Sequence, residues 1–436
     1  MVRGERRKGG QGESSLHHAR LRRLEGTWRA LDWLTTALPL SGRVKLRVLD
    51  LTWQEVCRDL ERAVAFDQSQ LFRKIYEQEF GIAGGEPFGL LVADYEIRHR
   101  PGPGAPTDDM ATLAALAQIA AAAFAPLSIG AAPALFGVDA FAELSGVADP
   151  LAIMDAAEYQ RWKKLRTQSD TRFLSVIMPR IIIRHPWNEG QHQTRGLRYR
   201  ETRGTAQGHV WCTAGYLVAS CVIRAFETYS WPADMRGYDT DREGGGVIDT
   251  LPQPCASIDP PEGAGRPTID LILTDHQERA LVAAGFMPVS VLPFGGELLI
   301  STARSLQLPE SGYSGPQKDA ALANSRLSAQ FNSVLCVARF SHYLKVMGRD
   351  MTGAFMTAQE IEDRLTRWLA RYTTANPGSI ETLALYPLRH ATVSVTDDLA
   401  KPGVFSCIIH LEPHFQLDDV AVSFRLMTEF SAPGRG

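Results

Sequence analysis

Six cysteines in 436 residues, none of them in a C-x-x-C pair, are too few and too scattered for a disulfide framework. Cys57, Cys212, Cys221, Cys255, Cys336 and Cys407 instead suit a compartment that keeps thiols reduced, and the cytosol fits best. Charge of one sign is lacking too. Lys and Arg (46) against Asp and Glu (49) leave a formal charge of −3, which offers no field for holding a polyphosphate, so nucleic acid is not an expected partner. The chain does not open on a signal peptide, because its basic start runs into Gly and Ser rather than an apolar core. Nucleophile signatures are missing as well: there is no G-x-S-x-G, no S-x-x-K and no His-Glu-x-x-His. Internal repeats are absent.

Long apolar runs are also scarce. The one exception, "MATLAALAQIAAAAFAPLSIGAAPALFG" (110–137), is mostly Ala, and Pro126 and Pro133 interrupt any helix before it could cross about 30 Å of hydrocarbon. The run predicts a buried helix over about 108–125, capped by Asp108 or Asp109, followed by a short extended piece.

What is present is an ordinary globular texture, 44% hydrophobic and 22% charged, at a length that favours two or three packed units. Residues 1–18 are rich in Gly, Arg and Ser and read as a disordered basic tail. Leu21, Leu24, Trp28, Leu31 and Leu34 then keep helical spacing, with charges opposite them; such a basic helix docks on its own protein or offers a partner surface. "RVKLRVLDL" (43–51) alternates Val44, Leu46 and Val48 with Lys45 and Arg47, the period of a half-buried strand. One helix is predicted next, opened by a Thr52/Glu55 capping box and stopped at Gly81. The apolar runs at 85–97, 171–185 and 267–275 read as buried strands. With helical patterns between them they predict α/β layers and a sheet covered on both faces, parallel or mixed. Residues 186–208 and 238–267 read as exposed loops. A long helix is predicted from Gln317, with Leu327, Phe331, Val334, Leu335, Ala338 and Leu344 buried, then a second opened by Thr357 and Glu360. Three strands close the chain: "ATVSVT", "VFSCIIHLE" and "VAVSFRLMTEF".

Three features invite chemistry. "REGGGVID" (242–249) suggests a phosphate cradle, but no Lys-Ser/Thr pair follows and no strand directly precedes it, so a turn with positive φ is the better reading. His17 and His18 are helix neighbours about 100° apart, a poor chelating pair. His410, Glu412 and His414 alternate along a predicted strand and would share a face at about 6.6 Å intervals. That row fits either a metal-binding module or hydrolase, with help from Asp418 or Asp419, or a polar face; Pro413 interrupts its ladder.

Several phrases together resemble the large subunit of the type VI secretion contractile sheath, the TssC/VipB family, itself related to phage tail-sheath proteins. They are "LEGTWRALDWL" (24–34), "RDLERAVAFDQSQLFRKIYEQEFGIAGGEPFGLLVADYEI" (58–97), "EGGGVIDTLP" (243–252), "DHQERALVAAGFMPV" (275–289), "NSRLSAQFNSVLCVARFSHYLKVMGRD" (324–350) and "EPHFQLDDVAVSFRL" (412–426). The resemblance implies a mixed α/β sheath-protein fold: a layered N-terminal and middle region over 19–316, then a C-terminal domain over 317–436 of two long helices and a small sheet. It implies a non-enzymatic subunit without cofactor or metal that pairs with a small sheath subunit of TssB/VipA type. The pair would stack with further copies around an inner Hcp tube and contract to drive it outward, on a baseplate at the inner membrane of the bacterial cytoplasm. A sheath-disassembly ATPase is a further implied partner, although its usual N-terminal contact region is short and Gly/Arg-rich here. No membrane insertion is implied. A paralogue that joins a sheath without assembling one alone is the other reading within the family. Links that survive contraction suit strand addition between subunits, and Val420, Val422, Phe424 and Leu426 would form one face of such a terminal strand.

Overall fold

The computed structural model describes residues 17–36, 41–102, 104–184, 209–238, 244–251, 268–292, 297–312, 318–351, 356–376, 378–397, 404–414 and 424–431. The tail over 1–16 and the loop over 186–208 lie outside the described residues, as does Cys255; the other five cysteines are buried and free.

Helix α1 (Ala19–Thr36) turns Gly26, Ala30, Trp33 and Leu34 inward. A glycine sits mid-helix at 26 because a Cβ there would meet the Trp211 carbonyl oxygen at 2.6 Å. Helix α2 (Trp53–Arg62) starts on the expected capping box, in which Thr52 accepts from the Glu55 N–H and the Glu55 carboxylate accepts from the Thr52 N–H. The single helix predicted to Gly81 does not form. Asp59 instead accepts from the N–H groups of Gln70 and Leu71 at 3.1 and 3.0 Å, Ser69 caps a new start, and a π-helical stretch follows over Arg73–Phe80.

The body is a four-stranded parallel sheet in the order β1-β2-β3-β7, formed by β1 (Leu91–Ile97), β2 (Leu127–Ala131), β3 (Leu174–Met178) and β7 (Phe286–Pro288). Both faces are covered, as parallel strands require. On β3, Leu174, Val176 and Met178 face one core with α3 (Asp109–Ala123), while Ile177 faces the other with α6 (Gly215–Tyr229). The Ala-rich run is the buried α3, capped by Asp108, which accepts from the Ala111 N–H. Among the described residues no helix is long and apolar enough to cross a membrane. Short helices α4 (Pro150–Asp155) and α5 (Gln160–Arg166) and helix α7 (Asp275–Ala283) complete the first core. Two smaller sheets, β4 (Ile181–Arg184) with β5 (Val210–Cys212), and β6 (Val247–Ile248), β9 (Leu298–Leu299) and β8 (Ser290–Val291), flank the second.

Three predicted strands differ from the observed chain. The run at 171–185 divides into β3 and β4, which join different sheets. Of the predicted strand at 267–275, the described residues 268–275 contribute one bridge, Ile269 to Ile181, rather than a ladder. Residues 43–51 form neither helix nor strand and join no sheet.

The C-terminal region holds α8 (Lys318–Ser328), α9 (Phe331–Met351), α10 (Ala358–Ala370) and the short α11 (Ile380–Leu385). The long helix predicted from Gln317 is thus two helices, because residues 303–305 dock at the break. There Ser305 donates to the Ala329 carbonyl at 3.0 Å and Phe331 donates to Ala303 at 3.0 Å. Phe331, Val334, Leu335, Ala338 and Leu344 are buried as expected. An antiparallel meander follows, in the order β10 (Leu388–Asp397), β11 (Val404–Pro413) and β12 (Phe424–Ser431). Cys407, Ile409 and Leu411 of β11 pack with Ile361, Leu365 and Leu369 of α10 and with Phe340 and Leu344 of α9.

Candidate assembly surface

The C-terminal meander ends in two outer strands. The outer edge of β12 has no strand beside it among the described residues, so its outward backbone groups are available for pairing. Of the residues predicted for a linking strand, Val420 and Val422 lie outside the described residues. Phe424 stands opposite Leu411 and Leu426 opposite Ile409, so the strand has a neighbour within its own chain.

The His-x-Glu-x-His row divides. His410 and Glu412 alternate with the buried Ile409 and Leu411 and so take the face away from the core, opposite Thr392 and His390. His414 leaves the sheet: its Nε2 bonds the Thr374 carbonyl at 2.7 Å and its N–H donates to Pro387 at 2.8 Å. Burial, with Arg389 adding, lowers its pKa and favours the neutral ring. Among the described residues no group of three or more His, Cys, Asp and Glu is placed to hold a metal.

The glycine run forms the expected turn. Gly244 and Gly245 have φ of 139° and 62°, and a Cβ on Gly246 would meet the Ile300 carbonyl oxygen at 2.1 Å. Backbone crowding, not anion binding, accounts for these glycines.

The phrase "RFSHYLKVMGRD" proves to be the joint between the two regions. From α9, Phe340 stacks on Trp231 at 4.0 Å and 16°. His342 Nε2 bonds the Ala123 carbonyl at the end of α3, at 3.1 Å. Lys345 sits 3.6 Å over the Phe80 ring, and Arg349 binds the carbonyls of Phe80, at 2.9 Å, and Ile82. Burial lowers the Lys345 pKa to about 8, with Arg349 adding to the shift. Sequence reasoning saw only an apolar stripe here, because each partner is remote in the chain.

A second surface was read only in part. Over 43–50 every residue but Val44 is exposed. Its basic side chains are pinned: Arg43 pairs with Glu227 at 3.1 Å, Lys45 with Glu86, and Arg47 with Glu79 and, at 2.8 Å, with Glu86. On α1, Leu24 and Trp28 are also exposed, at 54% and 60%.

Comparison with known proteins gives the class. The VipB model, EvpB/VC_A0108, tail sheath N-terminal domain, matches residues 10–307. Its companion, the EvpB/VC_A0108 tail sheath gpW/gp25-like domain, matches residues 320–430. The chain belongs to the VipB tail sheath family. Its part is that of a contractile-sheath structural subunit. It is 32% identical over 423 residues to the type VI secretion system sheath protein TssC1 of Pseudomonas aeruginosa, covering 95% of this chain and 82% of that one. Among solved structures, a chain of the anti-feeding prophage baseplate aligns with a TM-score of 0.40 at 10% identity, over 93% of this chain and 83% of the other. The sheath tail protein of Desulfitobacterium hafniense aligns with a TM-score of 0.35 at 8% identity, over 74% of this chain and 60% of that one. At those scores nothing further rests on them.

Proposed function

We propose that this chain is the large subunit of a type VI secretion sheath: it pairs with a small sheath subunit of TssB/VipA type, and the pairs stack helically around an inner Hcp tube. Contraction of the stack drives the inner tube outward. The reading places the assembly in the bacterial cytoplasm, seated on a baseplate at the inner membrane, and makes the protein mechanical rather than catalytic. The observation that carries it is the match to both sheath domains, over 10–307 and 320–430, with 32% identity to a type VI sheath protein along nearly the whole chain. The same division supports a body over 19–316 and a C-terminal unit over 317–436.

The link between neighbouring pairs falls to the last strand in this reading. Backbone hydrogen bonds made edge to edge hold while the bodies they join rotate, which is what contraction demands. Val420, Val422, Phe424 and Leu426 belong to that link, and the open edge of β12 supports it.

Co-expression with the small subunit and negative-stain electron microscopy test the reading, with tubules expected. A monodisperse product that never pairs would overturn it. Ending the chain before Val420 should leave pairing and folding largely intact and abolish long tubules; normal tubules from the shortened chain would remove the last strand from the link.

A further inference from the structure

We propose that the small cavity between α9, α11 and the end of β11 is a water site, in which a bound water molecule, held by Ser333 and Asn332, bridges the body and the C-terminal region. The site lies within one chain and needs no assembly to form.

Two buried polar atoms stand without partners there. Ser333 is 2% exposed, yet its Oγ bonds nothing among the described residues, and neither does the buried Oδ1 of Asn332. Buried hydroxyls and amides are ordinarily hydrogen-bonded. A helical serine can satisfy itself by donating to the carbonyl one turn back, as Ser341 does to Val337 at 2.8 Å on the same helix. Ser333 lacks that way out. The carbonyl one turn back, that of Ala329, already accepts from the Ser305 N–H at 3.0 Å and from the Ser305 hydroxyl at 2.7 Å, which uses both of its lone pairs. The segment that parts α8 from α9 thus also takes the partner Ser333 would have had.

Both residues line a cavity of about 30 Å³, above the roughly 10–15 Å³ that a water molecule requires. Asp234, from the body, and His414, just past β11, share the wall. One carboxylate oxygen of Asp234 accepts from the Gly245 N–H at 3.3 Å. The His414 Nε2 faces a carbonyl, that of Thr374, and so carries the ring proton, which leaves Nδ1 as an acceptor. The polar lining is therefore rich in acceptors: an amide oxygen, a carboxylate and a ring nitrogen against one hydroxyl. Water suits such a lining, because it donates twice and can still accept from the Ser333 hydroxyl. The remaining side chains of the wall are apolar apart from the Cys336 thiol, which burial keeps neutral by raising its pKa to about 12. Asp234, Cys336 and His414 are not placed to hold a metal ion.

Three separate segments meet at this point: the turn after α6, helix α9 and the end of the second meander strand. A water bonded to their side chains is as good a tie as a direct hydrogen bond and tolerates small changes in spacing that a direct bond does not. It adds a polar bridge to the apolar joint that Phe340 makes with Trp231.

The test counts long-lived waters by oxygen-17 magnetic relaxation dispersion on the purified full chain, wild type against Ser333→Val. Two methyl groups in place of a hydroxyl leave the water neither its donor nor its room, so the variant should lose at least one long-lived water. An equal count from a folded variant overturns the site. A high-resolution density map of the wild-type protein decides the matter even where the variant does not fold. It should show a peak within hydrogen-bond reach of both Ser333 Oγ and Asn332 Oδ1, and a map without that peak overturns the proposal. A peak that strengthens when the sodium of the buffer is replaced by rubidium belongs to a monovalent cation, and overturns the assignment to water.

Discussion

His342 is 2% exposed, bonds one backbone carbonyl through Nε2, and leaves its Nδ1 without a partner. Burial, opposed by the Ala123 carbonyl, lowers its pKa from 6.5 to about 4, so the folded protein holds the neutral ring while the unfolded chain takes up a proton. The unfolded state then binds more protons between those values, and stability falls as pH falls. Its contribution is whole above pH 6.5 and is lost progressively toward pH 4. It amounts to roughly 3 kcal/mol at most, at 1.36 kcal/mol per pKa unit. Thermal midpoints measured from pH 7 to 4.5 should drop more steeply for wild type than for His342→Gln; equal slopes would deny the histidine this role. None of this was legible in the sequence, since Ala123 lies 219 residues away. The positive φ of the glycine turn was legible, because its cause lies within a few residues.

Elements followed the sequence where their cause is local. The Thr52 and Thr357 capping boxes formed as read, and each needs only four consecutive residues. Replacing Thr357 with Ala should cost about 1 kcal/mol, read as a lowered midpoint in chemical denaturation. An unchanged midpoint would show that α10 is held by its packed face alone. Elements departed from the sequence where another segment intervenes. Helix periodicity continues from α8 into α9, but residues 303–305 bond across the junction and part them. The helix read through to Gly81 breaks because Asp59 caps a new start at Gln70. In hindsight "FDQSQ" announces that start, with Ser69 as its cap. The run at 43–51 shows the converse: its period is that of a strand, and among the described residues it forms no ladder.

At the scale of the molecule, the α/β layering was legible because buried parallel strands are continuous apolar runs. The order β1-β2-β3-β7 was not, since pairing depends on contacts far apart in sequence. Nor did the texture change at Gln317 reveal how firmly the two regions are joined. Helix α9 contributes Phe331 and Leu335 to the core beneath α6, and Phe340, Leu344 and Met351 to the C-terminal core. Residues 317–436 expressed alone should therefore bare Phe331 and Leu335 and fail to give a cooperative, monodisperse domain; a sharp thermal transition from that fragment would show the regions to be separable. The shared helix also fixes how force passes through the subunit. Its 21 residues make a rod about 31 Å long, gripped at Phe80 and Ile82 by Lys345 and Arg349 and at Trp231 by Phe340. A pull on the terminal meander thus reaches the central sheet along a stiff strut, so tension in one subunit is handed on as displacement rather than spent on stretching a joint.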